Sequence, residues 1–99
     1  MEQVEKPVLK AAIKHYGHAS QVLKTFEECG ELLNALAKYY TDPPRSTKED
    51  VIEELADVSI MIDQMALEFG LSEFLAERAY KIKRLKERIQ KSDNGNKDN

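Results

Sequence analysis

Apolar residues recur at helical spacing along most of this 99-residue chain. Val22, Phe26, Cys29, Leu33, Leu36 and Tyr40 step by 4, 3, 4, 3, 4, and Val51, Leu55, Val58, Ile62, Met65 and Phe69 repeat those steps. Such spacing marks one face of an α-helix. It predicts a helix from about Ala19 to Thr41 and another opening at Ser46, with Phe26, Cys29, Met61 and Met65 in the core and Cys29 inert. A shorter helix is predicted from Pro7 to Tyr16, because proline suits an opening turn and Gly17 stands where a C-terminal cap belongs. Asp42-Pro43-Pro44-Arg45 breaks the second helix. Ser46-Thr47-Lys48-Glu49 reads as a capping box, with Ser46 as N-cap and Glu49 three residues on. Gly70 ends the third helix, and a fourth starts at Ser72 and carries Leu75, Ile82, Leu85 and Ile89. Residues 92–99, SDNGNKDN, have nothing to bury and read as a disordered tail. No internal repeat and no extended strand pattern is present.

The short Pro-Pro connection makes the second and third helices antiparallel neighbours. The fold class is therefore all-α: a four-helix protomer built on a long antiparallel hairpin, in a single domain over residues 1–91. With the turn centred near residue 44, Glu31 lies level with Asp57, Glu54 with Asn34 and Glu28 with Ile60. At about 1.5 Å rise per residue, four carboxylates then fall within roughly one turn of one height. Glu28 and Glu31 point away from the Val22–Tyr40 seam, on a side that also holds Leu32 and Ala35. This mixed side implies a second packing surface that so short a chain cannot fill alone. A homo-oligomer, either a dimer or a dimer of dimers, is expected.

Composition narrows the classes. Hydrophobic residues are 41% and charged residues 33%, too apolar for a disordered chain and too charged for a membrane protein. No apolar run approaches the roughly 18 residues of a spanning helix, and MEQVEKPVLK resembles no signal peptide, so a cytoplasmic protein is expected. One cysteine excludes a disulfide framework, and a net charge of −3 gives no global reason to expect nucleic acid.

Local charge is more telling. Glu28 and Glu31 are three apart on one helix, as are Glu54 and Asp57 on the next, and an i, i+3 pair projects from one face. Four converging carboxylates repel one another unless a cation joins them. Soft ligands are missing and no Glu-x-x-His pair exists, which favours Mg²⁺, with Mn²⁺ as a substitute, over a di-iron centre. The alternative is a solvated acidic face. Residues 27–57 hold nine acids and three bases, whereas residues 78–91 hold seven bases and one acid. Arg78, Lys81, Arg84, Arg88 and Lys91 form one stripe. Metal beside a row of cations suits a polyphosphate. A solvated face, or one that neutralises acids of a neighbouring helix, is an equal reading for Arg88 and Lys91 and a weaker one for Lys81 and Arg84.

Glu27-Glu28-Cys29-Gly30-Glu31, a 22-residue gap and Glu54-Leu55-Ala56-Asp57 resemble the EExxE…ExxD signature of the all-α nucleoside triphosphate pyrophosphohydrolases, the MazG-like superfamily. QVLKTFEECGEL is similar to the family's lead-in, and Lys81-Ile82-Lys83-Arg84-Leu85 to its basic motif. The resemblance covers about residues 15–90. It implies Mg²⁺-dependent hydrolysis of an NTP or dNTP to the monophosphate and pyrophosphate. Glu28, Glu31, Glu54 and Asp57 would then be metal ligands, and Lys24, Lys81 and Arg84 would contact phosphates. Glu27 would either orient the attacking water or hold Lys24. The tryptophans that some members place around the base are missing. His15, Tyr16, Phe26 or Tyr39 could stack there instead, although Phe26 fits the core better, and Gln21 would either read a base edge or cap its neighbours. Two alternatives remain: a phosphoribosyl-ATP pyrophosphohydrolase of histidine biosynthesis, and a non-enzymatic helical oligomerisation module.

Overall fold

The structure, a computed structural model, describes residues 5–97, with side chains through residue 94. Its order is α1 (Glu5–Tyr16), α2 (His18–Thr41), a 3₁₀ turn (Pro43–Arg45), α3 (Lys48–Phe69) and α4 (Leu71–Lys97). The described residues form four α-helices and no strand, as the all-α expectation requires, and none of these helices is long and apolar enough to cross a membrane. The chain divides into two units, the first ending at Phe69 and the second beginning at Gly70. The break falls at Gly70, whose φ of 139° no helix continues through. The second unit is α4. It extends through residues 92–97, which the sequence assigns to a tail, because each added residue closes one more backbone bond on an existing helix. Asp98 and Asn99, the last two residues of that expected tail, lie outside the described residues.

In the first unit, Gly17 at φ 92° separates α1 from α2, and its N–H donates to the Ile13 carbonyl at 2.8 Å. α1 then lies along the second half of α3, where Val8, Leu9 and Ala12 face Ser59, Ile60 and Gln64 across a pocket of about 560 Å³. α2 and α3 form the antiparallel hairpin. The N-cap of α3 is Thr47, one residue after the expected Ser46. Thr47 Oγ1 accepts from the Asp50 N–H at 3.1 Å and Asp50 Oδ2 accepts from the Thr47 N–H at 2.9 Å. This is the reciprocal bonding of a capping box, built from Thr and Asp. Ser46 is buried and does other work: its Oγ donates to the Ala35 carbonyl at 3.0 Å, tying the turn to α2.

Which face of α2 meets α3 is the main departure. The seam on α2 runs through Gln21, Thr25, Glu28, Leu32 and Ala35, all buried or half-buried. Phe26, Leu33, Leu36 and Tyr40, expected in the core, are exposed, and Cys29 is half-buried. On α3, Val58 and Met61 are buried as expected, while Leu55, Ile62 and Phe69 are exposed. The mixed acidic and apolar side assigned to an oligomer contact is therefore the hairpin's own interior. The turn explains this rotation, because the Ser46–Ala35 bond and the 3₁₀ turn fix the side of α2 to which the chain returns.

Candidate metal centre

A buried amide pair sets the register of the hairpin. Gln21 Nε2 donates to Gln64 Oε1 at 2.6 Å, with both side chains buried. Two turns along each helix from this pair stand Glu28 and Asp57, which therefore lie opposite each other, and Glu31 and Glu54 face each other one turn further on. The expected register, with Glu31 level with Asp57, is off by three residues, or about 4.5 Å of helix rise. Ser46 and Thr47 lie outside both helices, and this moves the turn's effective centre towards Asp42.

The shift keeps the carboxylates together. One oxygen from each of Glu28, Glu54 and Asp57 lies within 4.8 Å of the others, as do oxygens of Glu27, Glu28 and Glu31. Glu28 belongs to both groups. It is 6% exposed, and its Oε2 and the Oε2 of Glu54 are buried without a hydrogen-bond partner. A buried charged oxygen with no partner is costly, and two of them facing a third carboxylate form a repulsive arrangement. The Glu54 carboxyl is held above its ordinary pKa, first by desolvation and then by the charges of Glu31, Asp57 and Glu28. An all-carboxylate donor set with unpartnered buried oxygens could hold a metal ion, and oxygen-only donors are the chemistry that hard cations take.

Lys24 answers part of this charge. Its Nζ lies 3.3 Å from Glu28 Oε1, and that bond, followed by the charges of Glu28 and Glu27, raises the pKa of Lys24. The ion pair formed is thus with Glu28, and Glu27 stands exposed at the outer edge of the cluster. Sequence reasoning passed over Lys38 and Arg45. Both line a shallow pocket of about 190 Å³ with Glu31 and Glu54. Their signal was position: Lys38 is one heptad after Glu31, and Arg45 lies in the turn that closes the hairpin.

The remaining candidates are placed elsewhere. Gln21 is enclosed in the α2–α3 seam with its donor committed to Gln64. His15 is exposed at the end of α1, edge-on to Tyr16 at 4.7 Å between ring centres. Tyr39 stands edge-on to Tyr40 at 5.1 Å. Lys81 and Arg84 belong to α4, where Lys81 Nζ lies 4.0 Å from Glu77 Oε1 and the Arg84 guanidinium sits over the Tyr80 ring at 5.7 Å. Comparison with family models, with curated proteins and with solved structures finds no match for this chain.

Proposed function

We propose that this chain is a cytoplasmic, Mg²⁺-dependent nucleoside triphosphate pyrophosphohydrolase of MazG-like type, releasing a monophosphate and pyrophosphate. The observation that carries the reading is the pair of buried, unpartnered carboxylate oxygens on Glu28 and Glu54 beside Asp57. A solvated acidic face does not bury its oxygens unpaired. Glu28, Glu54 and Asp57 hold the ion, with Glu31 completing the set. When bound, such an ion lowers the pKa of a water and polarises phosphoryl oxygens. Glu27, exposed at the rim, orients the attacking water and accepts its proton. Lys24, kept cationic by its acidic neighbours, draws the triphosphate in, and Lys81 and Arg84 are the further phosphate contacts that the family resemblance implies. The pocket between α1 and α3 is within the size range of small-molecule sites, and its lining on α3 begins at Ser59, two residues after Asp57. It supports a substrate whose base lies there.

The test is release of pyrophosphate and monophosphate from each common NTP and dNTP, and from phosphoribosyl-ATP, with and without Mg²⁺. Mg²⁺-dependent pyrophosphate is expected from at least one nucleoside triphosphate. Glu31→Gln and Asp57→Asn should abolish it while circular dichroism stays helical. Turnover of phosphoribosyl-ATP alone would move the chain to the histidine-pathway activity. Full activity in both variants would remove these residues from the site.

A further inference from the structure

Lys24 and Glu28 are an i, i+4 pair on α2, and pairs of this kind on a helix surface contribute little. This one is unlike an ordinary surface pair. A lysine four residues before a glutamate is the less favourable order on a helix, yet Lys24 Nζ lies 3.3 Å from Glu28 Oε1. Glu77 and Lys81 on α4 have the favourable order and stand 4.0 Å apart, with both side chains more than half exposed. The difference is burial. The Glu28 side chain is 8% exposed, whereas that of Lys24 is 51% exposed. A carboxylate taken out of water attracts a cation more strongly than a solvated one does. The interior of the hairpin, more than the helix itself, holds the ammonium.

The hold is partial. Glu28 Oε2 is buried with no hydrogen-bond partner, and so is Glu54 Oε2. Both belong to carboxylates that share the acidic cluster with Glu27, Glu31 and Asp57. Among the described residues, the Lys24 contact is the one ion pair that these five acids make. One ammonium on one oxygen leaves the remaining repulsion unanswered. Lys24 is also easily removed, because its four-carbon stem is flexible and half exposed, so it can leave without moving the backbone. Every group in this arrangement belongs to α2 or α3.

We infer that Lys24 is a displaceable counter-ion, which holds Glu28 until a divalent cation takes that carboxylate and then turns its charge to the anion that the cation carries. The inference rests on the metal reading. An ammonium and a divalent cation on one carboxylate repel each other, the more so where burial lowers the dielectric. Lys24 then swings out and loses its partner, and a phosphate oxygen beside the cation offers it a new one. Cation and anion binding are thereby coupled through one side chain, each favouring the other. A Lys24 that merely braces α2 would keep its contact with Glu28 throughout.

The test is Mn²⁺ binding to the full chain, read by electron paramagnetic resonance of the free ion, together with thermal denaturation in chelator and in saturating Mg²⁺. Lys24→Met should bind Mn²⁺ about tenfold more tightly than wild type, because no side chain has to leave. In chelator it should melt below wild type, and saturating Mg²⁺ should close the gap. Lys24→Arg, which keeps the charge, should stay close to the wild-type affinity. Lys24→Gln, neutral but still a donor to Glu28, should lie between them, and it replaces Lys24→Met if that variant does not fold. Lys38→Met removes a charge from the pocket that Glu31 and Glu54 line, and should tighten binding less than Lys24→Met does. Equal tightening in both would be the general effect of a lost charge and would overturn the inference. So would an unchanged or weaker affinity in Lys24→Met, or a melting gap that persists in saturating Mg²⁺. Those outcomes leave the metal reading standing, whereas no Mn²⁺ binding by the wild type would overturn both.

Discussion

Glu28 takes part in both acidic groups and in the Lys24 ion pair, and one of its oxygens is still unpartnered. Lys24 offers a single positive charge to a set of five acids (Glu27, Glu28, Glu31, Glu54 and Asp57). The excess falls on Glu54, whose carboxyl is pushed up by desolvation and by Glu31, Asp57 and Glu28. A raised folded-state pKa means that the proton binds more tightly to the folded protein. The stabilising contribution is then present at low pH and is lost as pH rises through the folded pKa of Glu54. Glu54→Gln should therefore leave the metal-free melting temperature close to wild type at low pH and raise it at neutral pH. Thermal denaturation in chelator across that range checks this. A variant less stable than wild type at neutral pH would show that Glu54 carries no such repulsion. The paired i, i+3 acids were legible as residues, because their spacing alone places each pair on one helix face. Their burial was not, since it depends on what α3 brings against them.

At the scale of elements, the hairpin is held in register by polar contacts as well as by packing. Gln21 and Gln64 satisfy each other inside the seam. Removing one partner should leave a buried amide unpaired, at about 1–3 kcal/mol, whereas replacing both with apolar groups of similar shape costs little. Gln21→Leu and Gln64→Leu should each destabilise by that amount in urea denaturation, and the double variant by less than either. Additive losses would mean that the pair contributes nothing as a pair. The helices themselves were readable from periodicity and from their breaks at Gly17, Asp42-Pro43-Pro44 and Gly70. The capping box was found one residue early, because Ser46 and Thr47 are both good N-caps and only the return of Ser46 to Ala35 separates their roles.

At the scale of the whole molecule, the hairpin carries acids on one side and an uncharged apolar face on the other. The repulsion on the first side is what the proposed cation would relieve. A cation that binds only the folded protein stabilises it by mass action, by about 2.7 kcal/mol at a hundred times its dissociation constant. The melting temperature should therefore climb with Mg²⁺ concentration, and the climb should vanish in Asp57→Asn. An equal rise in that variant would point to general salt screening.

The sequence by itself determined the helical class, the positions of the helices to within a few residues, the antiparallel hairpin and the identity of the clustered acids. All of these follow from local information: side-chain period, turn-breaking residues and spacing along one stretch of backbone. Tertiary structure alone decided the rotation of α2 against α3, the three-residue shift in register and the exposure of the Val22–Tyr40 stripe. Periodicity shows that a helix has an apolar face and is silent on what that face meets. A hairpin with two candidate faces folds on the one that its turn geometry and buried hydrogen bonds select. Here the Ser46–Ala35 and Gln21–Gln64 bonds chose the acidic side as the interior and left the more apolar side open.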